Sequence, residues 1–171
     1  MILKDKYRFV LQKLEYDCGV AATTTLLLNA GVRPPSYKKL GKALKLSKRG
    51  VMSQDIEKYI LKYKKLDPLV FINAKLKNLR GELGRGRIAM VMYQSWGKKE
   101  EIENLDCGHY SIAVAIEKDK LYLLDPGAHK DWGDGVGFRG MSARSFARHW
   151  VDREGGYVIR GWMLSVKPLK V

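Results

Sequence analysis

The sequence predicts an α+β domain, helices first and an antiparallel sheet after, and three features of the chain carry that prediction. A charge-free run from Cys18 to Val32 has helical punctuation at both ends. Two basic amphipathic stretches follow, opening at Ser36 and Ser53. Beyond them the texture changes to short runs rich in β-branched and aromatic residues, "RIAMVMYQSW", "GHYSIAVAIE" and "KLYLLDP", separated by turn residues.

Taken in order, the first run places Asp17 where an N-cap belongs and Gly31 where a left-handed C-terminal residue is wanted, so a helix is expected over residues 18–30. Val20, Ala21, Thr24, Leu27 and Leu28 fall at helical spacing and should face the core. "RPPSYKKLGKALKLS" begins with a Pro-Pro stop, takes Ser36 as a cap and turns Leu40, Ala43 and Leu44 inward. "MSQDIEKYILKYKK" repeats the design with Ser53 as cap, Asp55 and Glu57 in the first turn, and Lys58 and Lys62 on one face. "EKDK" reads as the hairpin turn between the second and third strands. "MSARSFARHW" reads as a short helix capped by Ser142, and "YVIRGWMLSV" as a closing strand.

A chain of 171 residues, 46% of them apolar, can bury roughly 70% of its unfolded surface and needs no staples. No repeat or linker divides it, so residues 1–171 are expected to form one domain. Its two cysteines are too few for a disulfide framework, and any role they have is chemical rather than architectural. Charges interrupt every apolar run of the N-terminus, which excludes a signal peptide, and Cys18–Val32 is shorter than the roughly 18 to 20 apolar residues that span a bilayer. The expectation is a cytoplasmic protein without a membrane span.

The net charge is +14, and it is regional. Residues 33–87 hold sixteen Lys/Arg against four Asp/Glu, so this third of the chain carries +12 and the rest is nearly balanced. Such a region attracts any acidic partner at long range, be it nucleic acid, an anionic membrane or an acidic peptide.

The chemistry is concentrated in "LQKLEYDCGVAATTTLLLNAG". A thiol attacks as thiolate, and a helix N-terminus or a neighbouring imidazolium favours that form. Cys18 stands at a helix start. The general base must be one of three histidines, and His109 opens a predicted strand while Asp125 closes the strand that pairs with it. Hairpin pairing around "EKDK" therefore makes His109 and Asp125 neighbours. Gln12, six residues before Cys18, can fold back so that its amide joins the Cys18 N–H in an oxyanion hole.

"QKLEYDCGVAA", "GHY" at the head of a strand, and "LLDP" with its aspartate sixteen residues after the histidine resemble the peptidase C39 family in order and spacing, over about Phe9 to Trp150. The resemblance implies a papain-like cysteine peptidase fold, with Cys18 as nucleophile, His109 as base, Asp125 as its orienting carboxylate and Gln12 as oxyanion donor. It further implies cleavage of leader peptides after a Gly-Gly pair, without cofactor or metal. Members commonly sit at the N-terminus of bacterial ABC exporters. This sequence has no nucleotide-binding loop or membrane helices, so it reads as a stand-alone domain with any exporter separate.

Blander readings compete for the remaining residues. Cys107 lies two positions before His109; a regulatory disulfide with Cys18 is conceivable, a spare thiol simpler, and a Cys18, Cys107, His109 metal site lacks zinc-type spacing. "HKDWGDGVGFRG" reads as a mobile loop beside the active site, with His129 in it and His149 beyond it structural or solvated. The basic region is either a solvated face or a surface for an acidic amphipathic leader helix. Nucleic acid is disfavoured, since no binding motif is present and Tyr37, Tyr59, Tyr63 and Phe71 suit core packing. Two functional alternatives stay open, a non-catalytic leader-docking module and a thiol-dependent acyltransferase or deamidase.

Overall fold

A computed structural model describes residues 6–95, 103–105, 107–128 and 135–169, and its first helix, α1, spans Cys18–Asn29. Its C-terminus is a Schellman turn, with Val32 N–H on Leu27 O at 2.9 Å, Gly31 N–H on Leu28 O at 3.3 Å, and Gly31 at φ 79°. The expected single core face does not exist. Every residue from Cys18 to Leu27 is buried, while Leu28 is only half-buried, because α1 has a helix on one side and the sheet on the other. Thr23 and Thr24 survive burial by returning their hydroxyls to the carbonyls of Gly19 and Val20.

Helix α2 (Tyr37–Ala43) is capped as expected by Ser36, whose hydroxyl accepts from Lys39 N–H. Leu40 and Leu44 are buried, but Ala43 is exposed, since the helix ends there and the chain turns away. Helix α3 (Ser53–Ile60) corrects two expectations. Met52 is the N-cap and Ser53 the first helical residue, and the free N-terminus is satisfied instead by the Glu154 carboxylate, which takes both the N–H and the hydroxyl of Ser53. Lys62 lies past the helix end, so it shares no helical face with Lys58.

The strands are β1 (Leu69–Phe71), β2 (Ile88–Gln94), β3 (Gly108–Glu117), β4 (Lys120–Leu124) and β5 (Phe138–Ser142), with helix α4 (Leu76–Gly84) between the first two. Helix α5 (Ala143–His149), capped by Ser142, leads into β6 (Val151–Glu154), β7 (Tyr157–Arg160) and β8 (Met163–Val166). The antiparallel six-stranded sheet runs β1-β8-β2-β3-β4-β5, and β6-β7 form a separate hairpin. The single closing strand expected over "YVIRGWMLSV" is thus two, broken at Gly161, which adopts φ 56° against the backbone of Ala74.

Strand β2 is buried on both faces. Ile88, Met90 and Met92 join α1, α2 and α3 in one core cluster; Ala89, Val91 and Tyr93 join Leu79 of α4 and Phe146 and Trp150 around α5 in the other. Tyr37, Tyr59, Tyr63 and Phe71 pack on these cores, as expected. The basic region is not one solvated stripe: Arg87 is buried, bonded to Glu82, Asp67 and Ser165, and Lys45 pairs with Asp55 at 2.7 Å. Among the described residues no helix is long and apolar enough to cross a membrane.

Candidate active site

The tripeptide Asp17-Cys18-Gly19 builds the site from one side. Asp17 does not cap α1 with its side chain; its backbone carbonyl accepts from Val20 and Ala21, and the N–H groups of Cys18 and Gly19 precede the helical ladder. The Asp17 carboxylate turns backwards, its Oδ1 accepting from Lys13 N–H at 3.0 Å and Leu14 N–H at 3.1 Å. This clasp closes the turn that folds Gln12 back. Gln12 is tied at its own N–H to Pro126 O at 3.0 Å, immediately after Asp125. Its side-chain nitrogen donates to Leu14 O at 3.0 Å, while its Oε1 is buried with no hydrogen-bond partner among the described residues. Gly19 is needed for contact: a Cβ there would lie 3.0 Å from Val51 Cβ and 3.4 Å from the Tyr110 ring, so a bare backbone lets the head of α1 approach the start of β3.

From the other side, the β3-β4 hairpin delivers His109. The register pairs Ile112 with Leu124, and His109 Nε2 lies 2.6 Å from Asp125 Oδ1, both side chains 1% exposed. The His109 ring is also within hydrogen-bonding reach of the Cys18 thiol, which is 9% exposed, and Nδ1 is the ring atom left for it. Burial alone would lower the imidazole pKa. The charge and hydrogen bond of Asp125, and then of Cys18, outweigh burial and push it from 6.5 up to about 9. Burial likewise opposes ionisation of Asp125, but His109, the Gly127 N–H at 2.8 Å and Arg139 hold it below the usual carboxylate range. The sulfur thus faces an imidazolium at neutral pH.

Sequence reasoning missed the far side of Asp125. The Tyr93 hydroxyl and an Arg139 nitrogen each lie 3.5 Å from Oδ2, and Arg139 is steadied by the Ser95 hydroxyl at 2.6 Å. The signal was available for Tyr93, which the β2-β3 register sets directly opposite His109. For Arg139 no local pattern existed, since "FRGMS" gives a strand little apolar alternation.

A cleft of about 560 Å³ opens at Cys18, lined among others by Val51, Met52, Gly108, Tyr110, Asp152 and Glu154. A second groove of about 630 Å³ runs along α2, with Leu14, Tyr37 and Leu46 inside and Lys13, Lys38, Lys42 and Lys45 around it. Asp17 lines that groove and Cys18 the cleft, so the two meet where the clasped turn enters α1. No disulfide joins Cys18 and Cys107. Among the described residues no His, Cys, Asp and Glu group is placed to hold a metal. His149 sits half-buried at the end of α5; His129 and the first half of its glycine-rich stretch, 129–134, lie outside the described residues, while in the described half Gly137 O accepts from Asp125 N–H at 3.0 Å.

A search of curated proteins found no match. Solved structures do match in fold. The peptidase domain of Streptococcus ComA, a bifunctional ABC transporter involved in quorum sensing, superposes with TM-score 0.66 at 21% identity, covering 95% of this chain and 99% of that one. A C39-like peptidase from Bacillus anthracis gives TM-score 0.71 at 12% identity, with 96% and 95% covered. A double glycine motif protease from an AMS/PCAT transporter, solved with its leader peptide, gives 0.62 at 12% identity, with 95% and 92% covered. The family model for peptidase C39 matches residues 6–153. With that span and the α+β architecture these structures share, the chain belongs to the peptidase C39 family and is a cysteine-type peptidase.

Proposed function

We propose that the protein hydrolyses a peptide leader after a small-residue pair of Gly-Gly type, through Cys18, His109 and Asp125 with Gln12 at the oxyanion. The observation that carries this reading is the 2.6 Å bond from buried Asp125 to a His109 that also reaches the Cys18 thiol. In the reaction His109 holds the proton and the Cys18 thiolate attacks the scissile carbonyl. The Cys18 N–H and the second Gln12 amide hydrogen receive the oxyanion; one such donor is worth roughly a hundredfold to a thousandfold in turnover. As the intermediate collapses, His109 gives its proton to the leaving amine, and water, deprotonated by His109, then releases the acyl group from sulfur. Asp125 keeps the ring oriented throughout.

The leader part of the reading rests on the α2 groove. Its apolar interior and lysine rim complement an amphipathic helix with an acidic face, and it abuts the turn that enters Cys18. A protein of this fold has been solved with a leader peptide bound. The substrate helix docks there while the segment after it extends past Cys18.

The test is mass spectrometry of products from synthetic peptides bearing an acidic amphipathic helix, Gly-Gly and a short cargo. Cleavage after the second glycine that disappears in Cys18→Ala is expected. Products carrying an added amine would instead indicate acyl transfer, and no Cys18-dependent product from any Gly-Gly peptide would overturn the reading.

A further inference from the structure

The cleft beside Cys18 contains one buried carboxylate that the mechanism above does not use. Asp152, on β6, is 8% exposed. Its Oδ1 is satisfied, accepting from Gln94 Nε2 at 2.8 Å and from Arg153 N–H at 2.8 Å. Its Oδ2 accepts no hydrogen bond among the described residues, yet it is not sealed in; it lies against the bare backbone of Gly108, in the wall of the 560 Å³ cleft. A Cβ at residue 108 would collide with the carboxylate, so glycine before His109 is what admits Asp152 to this wall.

The neighbouring charges do not compensate it. Glu154 is engaged by Ser53 and the Tyr110 hydroxyl, and Lys48, Arg49 and Arg153 are exposed where they line the cleft, none of them ion-paired to Asp152. Burial pushes the Asp152 carboxyl up to about 6, which leaves it ionised at neutral pH. An ionised carboxylate is an acceptor only, and a desolvated one gains most from a donor supplied by whatever fills the cleft.

We propose that Asp152 anchors the substrate, its Oδ2 accepting a hydrogen bond from a main-chain N–H of the peptide lying in the cleft and so setting the peptide's register against Cys18. This rests on the peptide-cleaving reading above. A main-chain donor fits better than a cationic side chain, because Lys48, Arg49 and Arg153 would repel a cation. Gly50 also presents bare backbone along the cleft wall, which allows close approach of an extended chain with small residues. Asp152 acts on the same element as the base by a second route: Gln94, which it holds, accepts from Cys107 N–H at 2.9 Å at the entry to β3.

The experiment compares wild type with Asp152→Asn on the acidic-helix Gly-Gly peptide and on versions N-methylated at one position at a time around the scissile bond. Asparagine keeps the Oδ1 contacts and turns the Oδ2 acceptor into a donor; Asp152→Ser serves the same comparison if the first variant melts early. For the unmethylated peptide KM should rise roughly tenfold to a hundredfold, with kcat changing less than about threefold. At one position N-methylation should cost the wild type a similar factor and cost the variant almost nothing, while elsewhere both lose equally. Wild-type cleavage of the parent peptide, absent in Cys18→Ala, is read first, and its loss would overturn the peptidase reading and the anchor together. Intact cleavage with equal methylation penalties at every position, or a fall in kcat with KM unchanged, would overturn the anchor alone.

Discussion

Replacing Asp125 by asparagine keeps the shape that faces His109 at 2.6 Å and removes the charge. His109 is 1% exposed, and the first effect of its surroundings is burial, which disfavours the imidazolium; Asp125 is the main group that reverses this. Without the carboxylate charge the ring should titrate at or below its ordinary 6.5 instead of about 9. At pH 8 a group titrating at 9 is about 90% protonated and one at 6.5 about 3%, so the variant should hold roughly thirtyfold less imidazolium. At pH 6 the difference nearly vanishes. The assay is kcat/KM from pH 5 to 10, with histidine ring NMR in parallel and the His109 resonance assigned by its loss in His109→Gln. The alkaline limb should move from near 9 in the wild type to below 7 in Asp125→Asn, with the ring titration following it. A limb and a ring titration that stay near 9 in the variant would refute the reasoning, because some other group would then hold the proton.

The same pair governs stability against pH. The folded pKa of His109 is raised, so its contribution is fully present below about 6.5 and lost as pH rises through about 9; that of Asp125 is lowered, so its contribution is present above the usual carboxylate range and lost in acid. Thermal melts should therefore decline from pH 6.5 to 9, and the decline should disappear in His109→Gln. Arg87→Met should cost about 1 to 3 kcal/mol, because buried Glu82 loses its buried partner but keeps Arg85 and the Ser165 hydroxyl; this is read as a lower denaturant midpoint with catalysis of the folded fraction unchanged. If the α2 groove holds an acidic helix, KM should rise steeply between about 0.05 and 0.5 M salt, where the Debye length falls below about 5 Å, and Lys38→Glu with Lys42→Glu should mimic high salt with kcat little changed. Insensitivity to both would leave those lysines as a solvated rim.

What was legible in the sequence was what local chemistry decides. Ser36 and Ser142 cap the helices they precede, Gly31 ends α1, and "EKDK" turns the hairpin whose pairing places His109 against Asp125. What was hidden depends on partners far along the chain. Ser53 has the composition of a cap, but Glu154, 101 residues away, takes its N–H and hydroxyl. Asp17 has it too, and spends its side chain on the turn behind it, accepting from the Lys13 and Leu14 N–H groups. β1, with three residues, and β5, with an arginine and a glycine inside, exist through β8 and β4 rather than through their own propensity. Within the candidate site the four residues singled out beforehand carried a motif, whereas Tyr93, Ser95, Arg139 and Asp152 carried none; they are side chains that strand register and a distant hairpin bring to a charge needing partners.

The most direct measurement is the rate at which iodoacetamide alkylates Cys18 as a function of pH, with Cys18→Ala correcting for Cys107. Cys18 beside the His109 imidazolium should react faster at pH 6 than a free thiol does, and His109→Ala should remove that advantage. A rate that is slow at pH 6 and climbs with pH like that of a free thiol, ionising near about 8.5, and that is indifferent to His109→Ala, would contradict the proposed nucleophile and base.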